Sequence, residues 1–134
     1  MNIVDRLLQV EPGVLETAEE KEMEFRRLSK LLGEPFILRC KGLPGNRYAE
    51  LSAMAVDKKG NMDISKAHDA NILIAVAGTI SPDLKDQRLL EHFKCSTPKD
   101  LICKLLNGGE ITKVAEAVTE LSGFGADSDD EIKN

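Results

Sequence analysis

The sequence predicts an α+β fold, predominantly α-helical, with one small β-hairpin in the N-terminal third. Three observations lead there. After Pro44, apolar residues recur mostly at spacings of three and four. Helix starts and stops punctuate those stretches, most clearly at Thr97-Pro98-Lys99-Asp100 and Asn107-Gly108-Gly109. β-formers cluster at Phe36-Ile37-Leu38, just behind a Gly33-Glu34-Pro35 turn.

The elements follow in order. Ile3, Val4, Leu7 and Leu8 recur at helical spacing behind Asn2, a suitable N-cap. Glu11-Pro12-Gly13 ends that short helix. A helix of this length is marginal alone, so it is expected to dock, and docking on its own domain is the favoured reading. Residues 16–32 admit two readings. Met23, Phe25 and Arg27 alternate as in a strand, whereas Phe25, Leu28, Leu31 and Leu32 also fit a helix. We favour strands near 22–27 and 36–42 joined by a short helical turn, with a long helix over 16–32 as the alternative.

Pro44 suits the first turn of a helix bearing Tyr48, Leu51, Met54 and Ala55 on one face. Asp57-Lys58-Lys59-Gly60-Asn61 is a polar turn. Asp63 or Ser65 can cap a helix over about 65–78, apolar around most of its circumference and hence central, with Gly78 closing it. Ser81-Pro82-Asp83 opens an element carrying Leu84, Leu89, Leu90 and Phe93. Thr97 caps the next helix, with Pro98 in its first turn and Leu101, Ile102, Leu105 and Leu106 on its buried face. The last helix carries Ile111, Val114, Ala115, Val118 and Leu121 and stops at Gly123 and Gly125.

Residues 1–125 are thus expected to form a single globular domain, with 1–20 a partly extended N-terminal segment. Residues 126–134 carry four acids against Lys133 alone, and only Ile132 is large and apolar. A disordered acidic tail is expected there. The net charge is −5, but residues 1–125 hold 19 acids and 17 bases, so the body is nearly neutral.

Composition removes several function classes. With 18 Lys and Arg against 23 Asp and Glu, the balance opposes a phosphate-backbone binder. Five aromatic rings give few platforms for stacking bases, so no nucleic acid is expected as partner. The core must rest on Leu, Ile, Val and Ala. No apolar run approaches the ~20 residues of a membrane span, and no membrane partner is expected. The start of the chain lacks a secretory pattern, and three irregularly spaced cysteines suit a reducing cytoplasm.

The search for chemistry finds no catalytic residues, no metal ligands and no cofactor site. His68 and Asp69 are neighbours that a helix points about 100° apart. Glu91, His92, Cys95 and Cys103 approach a metal set but lack paired short spacings. Cys103 is read instead as a buried small side chain and Cys95 as a loop thiol. Gly42-Leu43-Pro44-Gly45-Asn46 lacks the lysine and hydroxyl of a phosphate loop. Asp57, Asn61 and Asp63 lack the glutamate that closes a calcium loop. A binding or assembly factor fits these residues better than an enzyme.

One series of motifs carries a resemblance. Val4-Asp5-Arg6-Leu7-Leu8 is followed by Phe25-Arg26-Arg27-Leu28-Ser29 and Gly33-Glu34-Pro35-Phe36. Ser81-Pro82-Asp83-Leu84-Lys85-Asp86 comes next, then Thr97-Pro98-Lys99-Asp100-Leu101 with Lys104-Leu105-Leu106. Gly109-Glu110-Ile111 and Leu121-Ser122-Gly123 close the series. In this order they resemble the tail assembly chaperones of PBSX-like prophages and related long-tailed phages, over roughly residues 1–123.

The resemblance implies a non-enzymatic role in the bacterial host cytoplasm. Such a chaperone binds the tape measure protein, recruits tail tube subunits and is absent from the mature virion. In many members a programmed frameshift adds a second domain. The family supplies no catalytic residues. Physical reasoning instead nominates Ile3, Leu7 and Leu8 as partner-binding, with the acids Asp127, Asp129 and Asp130. Core packing and a solubilising role are the simpler accounts of the two sets. A structural tail-completion or connector protein, or a small cytoplasmic enzyme or regulator, stays open, as does a homo-oligomer.

Overall fold

The computed structural model describes residues 2–125. Two short helices come first, α1 (Ile3–Leu8) and α2 (Pro12–Glu16). Strand β1 (Glu20–Glu24), helix α3 (Arg26–Leu32) and strand β2 (Ile37–Lys41) follow. Then come α4 (Gly45–Ser52), a 3-10 turn over Ala53–Ala55, and α5 (Ile64–Gly78). Strand β3 (Thr79–Ser81) leads to α6 (Gln87–His92), α7 (Pro98–Leu105) and α8 (Gly108–Leu121). The class is α+β and predominantly helical, as the sequence predicts.

The hairpin exists, and the reading with a helical turn between its strands is the right one. Its first strand begins two residues earlier than expected and stops at Glu24, because Phe25 becomes the N-cap position of α3. Glu20 pairs with Lys41 and Glu24 with Ile37, antiparallel. The hairpin is not isolated: β3 adds to β2, also antiparallel, with an irregularity between Arg39 and Cys40. Strand β2 alternates, with Leu38 and Cys40 buried and Ile37, Arg39 and Lys41 exposed. Burial pushes the Cys40 thiol pKa up, so it stays protonated and inert.

Ser29 organises this corner. Its hydroxyl accepts the Phe36 N–H at 2.8 Å and lies 3.0 Å from the Glu24 carboxylate. One side chain on α3 therefore ties the start of β2 to the end of β1. Gly33 takes φ +75° to end α3, a conformation that favours glycine.

Helix α5 is central, as its apolar circumference predicts. It packs against α4, α7 and α8, and Ile72, Ile74 and Ala75 are buried. Asp63 is its cap, accepting the N–H groups of Ser65 and Lys66. Leu101, Ile102, Val114 and Val118 are almost fully buried around it. Each such side chain contributes on the order of 1.5–3 kcal/mol over its exposed state.

The tightest junction lies at the end of α5. Gly78 closes the helix, as expected; it is the last helical residue and is buried. A Cβ there would collide with both methyls of Val118 and with the Lys41 carbonyl. Gly42 repeats the arrangement, since a Cβ would overlap the backbone of Leu121. The Leu43 N–H then donates to Ser122 Oγ at 2.8 Å. Glycine at both positions lets α5, α8 and the end of β2 meet backbone to side chain.

The caps read from sequence hold where they can be seen. Asn2 accepts the Asp5 N–H and Thr97 accepts the Asp100 N–H. Asn107 and Glu110 form a reciprocal capping box on α8, which makes the Asn107-Gly108-Gly109 stop a helix start as well. Pro44 stands one place outside its helix, at the cap position. Met54 and Ala55 fall in the 3-10 turn after α4. Cys103 is exposed, not buried: it lies on the outward side of α7, whose inward face is taken by Leu101 and Ile102. Cys95 is half-buried, and its Sγ lies 3.5 Å from the Phe93 carbonyl.

Two predictions follow from this packing. Gly78→Ala is expected to destabilise the fold by about 1–3 kcal/mol through overpacking. Adding Val118→Ala should make the double variant less unstable than the two single losses combined, because the second change makes room for the first. Urea titration of the four proteins measures the coupling. The second concerns Asp86, the cap of α6, whose hydrogen bonds from Arg88 hold its carboxyl pKa down at about 2. The carboxylate favours the folded state fully above its ordinary value near 3.8, and that advantage disappears as pH falls toward 2. An NMR titration of the Asp86 carboxyl should show the low midpoint, and Arg88→Ala should move it up.

Candidate partner-binding surface

The chain's apolar residues divide unevenly between body and N-terminal segment. Every residue from Asn2 to Glu20 is exposed. Among them are Ile3 at 68%, Leu7 at 53% and Leu8 at 80% exposure, with Val4, Val14 and Leu15 comparably open. This corrects the expectation that α1 docks on its own domain. The helix forms, and Asn2 caps it, but nothing in the body covers its apolar residues. Among the described residues, the segment is the densest run of exposed large apolar side chains.

The reason is local. Helix α1 has six residues and α2 five, separated by the break that Pro12 imposes. Neither is long enough to present a continuous stripe to the body. The core is meanwhile closed by α8, whose Ile111, Val114 and Val118 are buried in it.

Beyond α2 the segment borders an open cleft of about 570 Å³. Leu15 forms one wall, Leu43 and Leu121 the apolar floor, and Glu16, Glu19 and Glu120 part of the rim. The Gly42 N–H donates to the Glu19 carbonyl at 3.0 Å and fixes the segment at that point. The cleft is thus continuous with the exposed face and bears an acidic edge.

Other motifs prove to be joints. Arg27 meets Glu110 across 83 residues, with its Nη2 2.7 Å from Glu110 Oε1 and 2.9 Å from the Leu105 carbonyl. Burial raises the Glu110 pKa, but the bonds from Arg27 and from the Asn107 N–H outweigh it and leave the carboxyl below its ordinary value. The two quoted motifs containing Arg27 and Glu110 therefore clamp α3 to the α7–α8 corner. Leu121-Ser122-Gly123 likewise serves the Gly42–Leu43 seam.

Among the described residues, no group of three or more His, Cys, Asp or Glu side chains could hold a metal ion. His68 and His92 are exposed. No described helix is long and apolar enough to cross a membrane. Of the nominated partner-binding residues, Ile3, Leu7 and Leu8 share α1. Asp127, Asp129 and Asp130 lie outside the described residues, as does the expected disordered tail. Val14, Leu15 and the cleft were missed in the sequence. Their signal was the apolar pair Val14-Leu15 behind Pro12-Gly13, which periodicity over so few residues does not isolate.

Exposure makes a direct prediction about stability. Leu7→Glu with Leu8→Glu should shift the unfolding free energy by no more than about 0.5 kcal/mol, as surface changes do. Leu101→Ala, by contrast, should cost about 2–5 kcal/mol. Denaturant titration distinguishes a segment outside the core from one within it.

Comparison with known proteins supplies the family. The model of the family described as "Phage XkdN-like tail assembly chaperone protein, TAC" matches residues 4–134. The crystal structure of the protein yqbn resembles this one with a TM-score of 0.58 at 24% identity, over 86% of this chain and 93% of that chain. At that identity the likeness concerns the fold alone. No curated protein matches the chain.

Proposed function

The chain belongs to the XkdN-like phage tail assembly chaperones, and we propose that it binds the tape measure protein through its apolar N-terminal face. The observation that carries this reading is the exposure of Ile3, Leu7 and Leu8 beside a body whose core is complete without them. The body does not need these side chains to fold. Their burial becomes available only when a partner arrives.

A tape measure protein is long and helical and exposes apolar surface before the tail tube encloses it. A helix of that kind can lay its apolar side against α1 and α2 and continue along the Leu43–Leu121 cleft. The acidic rim at Glu16, Glu19 and Glu120 then faces water or basic residues of the partner. The chaperone keeps the tape measure protein from aggregating and brings tail tube subunits to it. It acts in the bacterial host cytoplasm and leaves before the virion is complete. The chemistry required is reversible association, not catalysis.

Co-expression with the tape measure protein of the same phage tests the reading. The full-length chain should co-purify with it, and Leu7→Glu with Leu8→Glu should weaken the complex at least tenfold while the chaperone stays folded. Absence of any complex would overturn the proposal. So would recovery of this chain, by mass spectrometry, as a stoichiometric component of mature particles.

A further inference from the structure

A second open groove, of about 440 Å³, lies where α4, α5 and the β3–α6 connection meet. Its floor is apolar, with Leu51, Leu73, Ala77 and Ile80. Leu73, Ala77 and Ile80 are only half-buried, although two of them sit on the central helix. Its rim is basic: Lys41, Arg47 and Lys85 stand there against one acid, Asp83. Arg47 makes a long, exposed pair with Glu50 at 3.7 Å. Lys41 and Lys85 enter no ion pair among the described residues. The groove is thus built to take something acidic with an apolar side chain.

The chain itself supplies such a segment, and it leaves the fold against α4, one of the elements that form the groove. The Phe124 ring stacks on Tyr48, with centroids 4.6 Å apart and planes 18° apart. The Tyr48 hydroxyl is hydrogen-bonded to Thr119 Oγ1 at 3.0 Å, which holds the stacked pair on α8. Tyr48 and Arg47 both belong to α4, so Phe124 is held against the helix that carries one of the groove's basic residues. Residues 126–134 follow, with Asp127, Asp129, Asp130, Glu131 and the apolar Ile132. Nine extended residues reach about 30 Å, ample to cross from α4 to the β3–α6 connection. The cleft beside α2 is edged by Glu16, Glu19 and Glu120 and repels this segment.

We propose that residues 126–134 dock on this groove within the same molecule, their acids on Lys41, Arg47 and Lys85 and Ile132 on the apolar floor. A partner that uses the groove must then displace the segment. Because the charged rim is exposed, added salt weakens the docking.

The test compares amide NMR spectra of the full-length chain with those of a variant carrying Asp127→Asn, Asp129→Asn, Asp130→Asn and Glu131→Gln. Signals of Leu73, Ala77, Ile80 and Lys85 should move, and 0.5 M sodium chloride should move the same signals in the unaltered chain. Arg47→Glu with Lys85→Glu, both exposed positions, should shift the amides of residues 127–132 in return. All three effects should be independent of protein concentration. Unmoved groove signals in the neutralised variant would overturn the proposal. Shifts that vanish on dilution would also overturn it, since they would place the segment on a second copy.

Discussion

The fold depends on one steric constraint, the seam where α8 closes on the end of α5 and the end of β2. Gly78 has Val118 on one side and the Lys41 carbonyl on another, at distances no Cβ could share. Gly42 receives the Leu121 backbone in the same way, and the Leu43 N–H finds Ser122 Oγ. Strand, central helix and last helix are fixed at consecutive points by absent side chains and one hydrogen bond. Everything else is arranged around that junction: the sheet lies against α8, α4 lies on α5, and α7 fills the remaining side of α5.

Much of this was legible because its signals are local. A capping side chain and its target lie two or three residues apart, so Asn2, Asp63 and Thr97 could be read from short windows. The apolar circumference of α5 announced a central helix. What could not be read is what spans the chain. Strand β3 has three residues and owes its existence to β2 standing ready beside it. The Arg27–Glu110 clamp joins two segments that nothing in sequence pairs. The resemblance motifs named the family without explaining themselves; Ser29, Arg27, Glu110 and Ser122 prove to be fold joints.

The errors share one physical origin. Periodicity shows that a helix has an apolar side, not what will cover it. For Ile111, Val114 and Val118 the cover is the molecule itself; for Ile3, Leu7 and Leu8 it is not. Cys103 erred in the opposite direction, because a small apolar residue next to Ile102 looks like core until α7 is placed and turns it outward. The candidate surface was therefore half legible. Its residues were nominated, while their exposure required the fold.

That exposure has an energetic meaning for an assembly factor. A six-residue helix is marginal in water, so α1 gains little from its own hydrogen bonds and cap. Burying Ile3, Leu7 and Leu8 against a partner would contribute on the order of 1.5–3 kcal/mol each before ordering costs. Part of that gain is offset by fixing the short helices and the partner's own chain. On the proposed reading the net would be moderate affinity, tunable one side chain at a time and separable from the stability of the body. An obligate subunit would bury such residues in its own core or in a permanent interface. Keeping them on a short appendage, outside the Gly78–Val118 seam, would let the proposed association and release proceed without disturbing the fold that presents them.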